Sequence, residues 1–268
     1  MQTIKLRSMG SDVVLLQQLL NKWGYKVDET GLFDEQTDIM VRDFQRKNKL
    51  AVDGIVGKGT WSKLQDENAR QTATLRLTEE DFKRCAEILG VEVAAVKAVQ
   101  EVETGGRGGF FAPGRPAILF EGHIFWSQLK KYGLSPEDYV KGNEDILYPK
   151  WTKSHYKGGM GEYDRLKKAL AIHEKAAACS ASWGLFQIMG FNYEACRCKN
   201  AREFVEKMCA NEGGQLDLFT AFLKSNGWDN YLRTLNWTEF ARHYNGPQYA
   251  QNKYDENFEA AKVNEYRK

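Results

Sequence analysis

Apolar residues recur three and four positions apart over most of this chain, the spacing that places side chains on one face of a helix. Alternation of Val, Ile and Thr, which would predict strands, is scarce. The pattern therefore predicts a mainly α-helical protein. It leaves room for one β element, a small hairpin between Phe110 and Tyr156.

Residues 1–67 form the first predicted unit, with three short helices. Ser11 and Asp12 are suited to cap the first helix, which ends near Gly24. The apolar positions expected to face the core are Val14, Leu15, Leu19 and Leu20 in the first helix, Ile39, Val41 and Phe44 in the second, and Trp61 and Leu64 in the third.

Two segments of this unit repeat each other. Residues 31–37 and 54–60 both read glycine, two apolar residues, three variable residues and threonine, and the two copies are offset by 23 residues. Each copy is predicted to form a glycine turn, two apolar anchors and a helix start, with Asp34 or Gly57 as the N-cap.

At these positions the first unit resembles the peptidoglycan-binding domains that consist of three short helices. The matching residues are Gly10, Val14, Leu16, Gln17, Leu20, Gly24, Tyr25, Gly31, Leu32, Phe33, Thr37, Phe44, Gln45, Asp53, Gly54, Ile55, Val56, Gly57, Thr60, Trp61 and Leu64. The resemblance implies a wall-anchoring module without catalytic chemistry, and it leaves the ligand-contacting residues unassigned.

A polar stretch without apolar periodicity, DENARQTATLR, follows the first unit and predicts a linker over residues 68–76. Helix signals resume at Thr78, Glu79 and Glu80, a cap followed by an acidic first turn. Residues 77–268 are therefore predicted to form a second, larger helical domain.

Glu103 is the leading candidate for chemistry in the second domain. It continues the apolar stripe of Val96 and Val99, and Gly105 and Gly106 end the helix just beyond it. Desolvation on such a stripe raises the pKa of a carboxyl group, and a carboxyl that stays protonated near neutral pH can act as a general acid. On this stretch alone, a solvated Glu in a last helical turn fits equally well.

Glu101 is the rival carboxylate on the same helix. It shares its stripe with Ala94, Lys97 and Ala98, and the spacing to Lys97 suits a surface ion pair. We therefore prefer Glu103 as the acid.

Glu121 and His123 stand inside the apolar run ILFEGHIFW. Burying either side chain is costly without a hydrogen-bond partner. Two alternatives follow from the residues: a buried Glu–His or Glu–backbone network that shapes the core, or a second catalytic or sugar-contacting role.

Two later segments combine aromatic and amide side chains. SASWGLFQIMGFN contains Gln187 between two glycines, and ARHYNGP contains Tyr244 and Asn245 before Gly246. Aromatic faces and amides suit the apolar faces and acetamido groups of amino sugars. Core packing in the first segment and a simple turn in the second are the alternatives.

Taken together, three motifs resemble those of goose-type lysozymes and lytic transglycosylases: Glu103-Thr104-Gly105, Gly184-Leu185-Phe186-Gln187 and Tyr244-Asn245-Gly246. The longer strings VETGG, ILFEGHIF, SWGLFQIMGFNY and FARHYNGPQYA are more similar to the N-acetylmuramidase domain of modular bacteriophage endolysins. Thr104 replaces the Ser that usually follows the Glu in the wider group, and it keeps the hydroxyl.

This resemblance implies that Glu103 is the catalytic acid and that Gln187, Tyr244 and Asn245 bind substrate in the cleft. Glu121 and His123 belong to the signature and are grouped with the substrate-binding residues, although the resemblance gives them no role. Glu121 is also the nearest candidate for a second carboxylate.

The resemblance further implies a two-domain lytic enzyme that cleaves the bond between N-acetylmuramic acid and N-acetylglucosamine without a cofactor. A lytic transglycosylase, which would cleave the same bond and form an anhydro product, stays open, as does a non-catalytic wall-binding or virion protein. A zinc amidase is disfavoured because the four histidines are scattered and HExxH is absent. No cysteine is marked as the nucleophile of a Cys-His peptidase.

Charge and cysteine usage narrow the partners and the compartment. A net charge of +2 argues against a dedicated nucleic-acid binder. No apolar run approaches the roughly 20 residues of a membrane span, and the amino terminus lacks a secretory h-region. Five cysteines indicate reduced thiols, and Cys196 and Cys198 stand too close for the usual zinc spacing, so no metal is expected.

We therefore expect a monomer that is made in the host cytoplasm, does not insert stably into membranes and binds bacterial peptidoglycan. It would act on the wall in the periplasm after the membrane has been permeabilised. A secreted interbacterial effector would share this chemistry, but the endolysin resemblance favours lysis from within.

Overall fold

The computed structural model describes residues 1–66, 75–246 and 254–265. The chain divides into two compact units, Met1–Thr74 and Leu75–Lys268, and the described residues are mainly helical, as the apolar periodicity predicts. Residues 68–74 of the predicted linker lie outside the described residues.

The first unit contains helices α1 (Ser11–Lys22), α2 (Glu35–Lys47) and α3 (Lys58–Leu64). Its core is one cluster of buried side chains that includes Leu16, Leu20, Phe33, Phe44 and Val56. Short antiparallel bridges, Ile4 with Val56 and Met9 with Leu32, attach the amino-terminal segment to the two turns.

Several predicted positions in this unit are wrong. Gly10, not Ser11 or Asp12, is the N-cap of α1, and the Asp12 side chain instead accepts a hydrogen bond from the Gln2 amide (2.8 Å). Val14 and Leu15 are only partly buried, whereas Val13 and Leu16 fill the core.

The second helix shows the same kind of error. Ile39 is 62% exposed, while Val41 and Phe44 are buried as predicted. Both faces of these short helices carry apolar side chains, so periodicity alone does not fix which face is turned inward. The predicted helix start at Asp34 is confirmed, because its carboxylate accepts a hydrogen bond from the Thr37 amide.

The sequence repeat is also a structural repeat, built on two buried glutamines. Gln17 Oε1 accepts from the Gly31 amide (2.9 Å), and its Nε2 donates to the Leu32 carbonyl (3.0 Å) and to Thr37 Oγ1 (3.3 Å). Gln45 makes the same three bonds in the second copy, with Gly54, Ile55 and Thr60. Of the two predicted apolar anchors in each copy, only the second, Phe33 or Val56, is buried.

The second unit is an assembly of helices around one large cluster of buried side chains, with a small second cluster of Ala178, Cys179 and Ala201. The helices are α4 (Glu79–Leu89), α5 (Val93–Thr104), α6 (Gly122–Lys131), α7 (Gly161–Ile172), α8 (Glu174–Cys179), α9 (Ala201–Ala210), α10 (Glu212–Asn226), α11 (Asp229–Arg233), α12 (Trp237–Asn245) and α13 (Tyr254–Glu265), with 3₁₀ turns at Pro136–Tyr139 and Gly190–Asn192. Thr78 and Asp81 form a capping box at the start of α4, which confirms the predicted helix start.

In the part of this unit that the structure describes, five short strands lie between the helices. The expected hairpin is present as β1 (Phe110–Ala112) and β2 (Arg115–Pro116). A second antiparallel sheet, which the sequence pattern did not predict, joins β3 (Ile118–Phe120), β4 (Ala181–Trp183) and β5 (Ile188–Met189) in that order. This sheet brings the ILFEGHIF and SWGLFQIM segments side by side.

A buried ion pair on α7 holds the end of β3. Arg165 and Glu162 have fully buried side chains 2.8 Å apart. Glu162 accepts a hydrogen bond from the Phe120 amide (3.1 Å), and Arg165 donates to the Phe120 carbonyl (2.7 Å) and to the Asp145 carbonyl. The pair therefore links α7 to both polar groups of one strand residue.

The last helix, α13, packs against α5, the helix that carries Glu103. Phe258 and Ala261, three residues apart on one face of this helix, are buried. Within the described ranges, no helix combines the length and apolarity needed to cross a membrane.

Candidate active site

Glu103 lies in the last turn of α5. Gly105 ends the helix in the left-handed conformation (φ 55°), and the buried Val96 and Val99 precede Glu103 on the same face. Desolvation by burial raises the pKa of Glu103 from 4.5 to about 8. The carboxyl is therefore held in the protonated form at neutral pH.

Glu101 has different surroundings. Its side chain is exposed and lines neither of the cavities that Glu103 lines. The ion pair with Lys97 suggested by the spacing is not formed, because Lys97 reaches Glu79 (2.8 Å) and Glu265 (3.8 Å) instead.

Two cavities meet at Glu103. The smaller, of about 380 Å³, is lined by the aromatic side chains of Phe222, Trp228 and Tyr244, by Asn192 and Asn245, and by the turn from Phe186 to Met189. The larger, of about 580 Å³, is lined by Arg107, Phe110, Phe111, Leu185 and the segment from Ala117 to Leu119, with their neighbours. Glu103 and Gln187 line both, so they stand at the boundary between two compartments.

Gln187 shapes this boundary. It adopts a positive φ of 49°, unusual for a residue with a side chain. Its Nε2 donates to the carbonyls of Ala117 (3.2 Å) and Gly184 (2.8 Å), and its Oε1 accepts from Ser182 Oγ (2.7 Å). Both amide hydrogens of Gln187 are therefore used within the protein. Its Oε1 has a second lone pair, which can accept a hydrogen bond from a ligand.

Tyr244 and Asn245 come from the end of α12. The Tyr244 hydroxyl donates to the Phe186 carbonyl (3.0 Å), and its ring packs edge-on against Phe219, Phe222 and Trp228. The tyrosine therefore fixes the aromatic wall of the smaller cavity against the turn that carries Gln187.

Asn245 contacts Glu103 directly. Its Nδ2 donates to Glu103 Oε1 at 3.1 Å, across 142 residues of sequence. Its Oδ1 is buried and has no hydrogen-bond partner among the described residues. A buried acceptor of this kind, on the wall of a cavity, is available to an N–H or O–H group of a ligand.

Glu121 and His123 occupy a separate network. The Glu121 carboxylate accepts from the Tyr156 hydroxyl (2.8 and 2.9 Å), and His123 Nδ1 lies 3.3 Å from Glu121 Oε2. Neither residue lines the two cavities. His123 is thus a close neighbour of Glu121, but its Nδ1 makes no hydrogen bond among the described residues. A sugar-contacting role for these two residues stays a prediction.

The sequence patterns missed several residues of the cleft. Trp228 and Phe222 belong to the aromatic wall, and Arg107 and Phe111 belong to the larger cavity. Arg107 stands only four residues after Glu103 and directly after the glycine pair. This closeness to the candidate acid in the sequence was the signal that could have identified it as a cleft residue. No sequence signal pointed to Trp228, because the residues around it are typical of an ordinary helix end.

Glu103 is the only carboxylate among the described residues that line the two cavities. Elsewhere in the described part of the chain, no three His, Cys, Asp or Glu side chains come together as metal ligands would. The residues present can therefore supply one partly buried acid, amide groups and aromatic faces.

Comparison with known proteins shows which family the chain resembles. A family model described as N-acetylmuramidase matches residues 92–265, and one described as a putative peptidoglycan binding domain matches residues 9–64. Among solved structures, the chain is similar to the crystal structure of the Burkholderia AP3 phage endolysin. That match has 36% sequence identity and a TM-score of 0.68, and it covers 100% of both chains.

Proposed function

Because this chain belongs to the N-acetylmuramidase family, we propose that Glu103 is the general acid with which it cleaves peptidoglycan. The chain is a peptidoglycan-degrading endolysin with a lysozyme-type glycoside hydrolase domain. The observation that carries the assignment is a single carboxyl with a raised pKa at the junction of two cavities. The scissile bond joins N-acetylmuramic acid to N-acetylglucosamine, with one sugar in each cavity.

Asn245 decides which oxygen of Glu103 acts. Because Asn245 Nδ2 donates to Oε1, that oxygen accepts and the proton is carried by Oε2. Glu103 Oε2 then donates its proton to the glycosidic oxygen as the bond breaks through an oxocarbenium-like transition state. The resulting carboxylate is stabilised by the Asn245 hydrogen bond.

The substrate-binding roles are proposed for Gln187, Tyr244 and Asn245. They are supported by their position on the cavity walls around Glu103 and by the buried Asn245 Oδ1, an acceptor suited to the N–H of an acetamido group. Glu121 is not supported as a second carboxylate at this point, because it is bound to Tyr156 and lines neither cavity. For Glu121 and His123, positioning of the segment after β3 is the better-supported role.

The first unit supplies binding without chemistry. Holding the enzyme on peptidoglycan raises the local substrate concentration without any new contact at the acid. We propose residues 1–67 as this anchor, 68–76 as the linker and 77–268 as the catalytic domain; the matches to residues 9–64 and 92–265 support this division.

We further propose a monomer that is made in the host cytoplasm and reaches the wall after the host membrane is permeabilised. All five cysteines are free thiols, as expected for a protein that folds in a reducing compartment. Peptidoglycan is the partner in this proposal, and nucleic acid is not.

The products released from purified peptidoglycan test the reaction. We expect muropeptides with reducing N-acetylmuramic acid ends, which borohydride reduces, because hydrolysis adds water across the cleaved bond. Mass spectrometry before and after reduction reads this directly. Anhydro ends would show a lytic transglycosylase instead, and no released fragment would show a non-catalytic wall-binding protein.

The raised pKa of Glu103 predicts the pH profile. The acid must be protonated to act, so kcat/KM is expected to be constant below about pH 8 and to fall tenfold per pH unit above it. Rates on soluble glycan strands from pH 5 to 10, at constant ionic strength, measure this fall in kcat/KM. A fall that is already complete near pH 5 would contradict a Glu103 that stays protonated at neutral pH.

A further inference from the structure

Arg107 lines the larger cavity beside Glu103 and has no part in the mechanism above. Its Nε donates to the Thr104 carbonyl at the end of α5 (3.1 Å). The four N–H groups of its terminal nitrogens make no hydrogen bond within the described part of the chain, and no described carboxylate lies at ion-pair distance from it. An arginine whose Nε is fixed and whose two terminal nitrogens make no hydrogen bond is suited to bind a carboxylate with both of those nitrogens.

The loop that carries Arg107 is held in place by the buried side chain of Glu212. The buried Glu212 accepts hydrogen bonds from the Gly109 amide (2.8 Å) and from Arg76 (3.2 Å). The Arg76 guanidinium also lies against Gly108, where a side chain could be added only if Arg76 shifted. Glu212 neutralises Arg76, so the net positive charge on this wall of the cavity belongs to Arg107.

The two cavities differ in charge and size. Among the described lining residues, Arg107 is the only cation, and it belongs to the larger cavity; the smaller cavity is lined by Glu103 and neutral side chains. The two sugars of peptidoglycan differ in the same way. Only N-acetylmuramic acid carries a lactyl ether, and its amide-linked stem peptide adds both bulk and free carboxylates.

We propose that Arg107 binds a free carboxylate of the stem peptide and thereby places N-acetylmuramic acid in the larger cavity. This inference rests on the proposed function, since it takes Glu103 as the point of cleavage. N-acetylglucosamine then occupies the aromatic cavity of Trp228 and Tyr244. Arg107 becomes a specificity residue that distinguishes peptide-bearing strands from naked glycan.

The test compares two substrates with one variant. Soluble peptide-bearing glycan strands are assayed beside the same strands after an amidase has removed the stem peptides. Arg107→Gln is expected to raise KM about tenfold on peptide-bearing strands, the effect of one charge-assisted hydrogen bond at a partly exposed site, and to leave kcat nearly unchanged. On the amidase-treated strands both parameters should equal those of the wild type.

Two further variants complete the design. Arg107→Lys keeps the charge and should recover most of the affinity. Arg115→Gln removes a nearby cation that stacks on Tyr163 and lines neither cavity, and it should change nothing. Raising the salt concentration should shrink the difference between wild type and Arg107→Gln, because the contact is partly solvent-exposed.

Three results would overturn the inference. A loss on amidase-treated strands that Arg107→Lys recovers would assign Arg107 to the lactyl carboxylate, which the amidase sets free. An equal loss on both substrates that Arg107→Lys does not recover would make Arg107 a structural cap of α5. No loss on either substrate would leave it without a ligand. Failure of the proposed function is distinguishable, because it would appear as full activity of Glu103→Gln, whereas these results compare KM values of an active enzyme.

Discussion

Glu103→Gln is expected to lower kcat by about 10²–10⁴-fold, the range of a lost general acid. Gln has nearly the same shape, but its amide cannot protonate the glycosidic oxygen. Its amide oxygen can still accept from Asn245 Nδ2, so the arrangement at 3.1 Å survives the change. Turbidity loss of outer-membrane-permeabilised Gram-negative cells, with mass spectrometry of released muropeptides, measures the effect.

Glu101→Gln is the matched control for this experiment. It makes the same chemical change two residues earlier on α5, at an exposed side chain outside both cavities, and should keep near wild-type activity. Loss of activity in Glu101→Gln with an active Glu103→Gln would place the acid on the other face of the helix. Two fully active variants would refute a lysozyme-type mechanism at this helix.

Arg165→Met is expected to destabilise the protein by about 3–5 kcal/mol, the cost of leaving a buried charge without its partner. Glu162 would remain fully buried beside it, and the Phe120 and Asp145 carbonyls would lose their donor. The end of β3 would lose part of its support. Urea denaturation at pH 7, followed by circular dichroism, gives the change in the free energy of unfolding.

A double variant distinguishes charge from packing in that result. In Glu162→Gln/Arg165→Met no unpaired charge is buried, so the loss of stability should be smaller than in Arg165→Met alone. Lys168→Met, on the same helix but partly exposed, should change the stability little. A loss in Arg165→Met below about 1 kcal/mol would contradict the strength that burial gives this pair.

Much of the architecture could be predicted from the sequence because it rests on short-range chemistry. The helix start at Thr78, the glycine stop at Gly105 and the Val96, Val99 and Glu103 stripe each involve residues a few positions apart. The same holds for the helix start at Asp34. Helical periodicity acts within a few residues, so a single sequence carries it.

Other parts depended on which faces of the elements meet. The pattern misjudged the buried face of the first helix, where Val13 replaces Val14, and of the second, where Ile39 is exposed. It also missed the sheet of β3, β4 and β5, whose strands are only two or three residues long. Strands of this length are too short to show an alternation of apolar and polar residues. They can be recognised only from their hydrogen bonds to neighbouring strands.

The sequence by itself therefore determined the helices, the two-unit order and Glu103 as the leading acid. The tertiary structure decided the surroundings of that acid. It brought Asn245 to Glu103 from 142 residues away, separated Glu121 and His123 from the cavities, and set Arg107 and Trp228 in opposite compartments. A carboxyl becomes a protonated acid through desolvation, and desolvation is produced by every element that packs around it, not by its neighbours in the sequence.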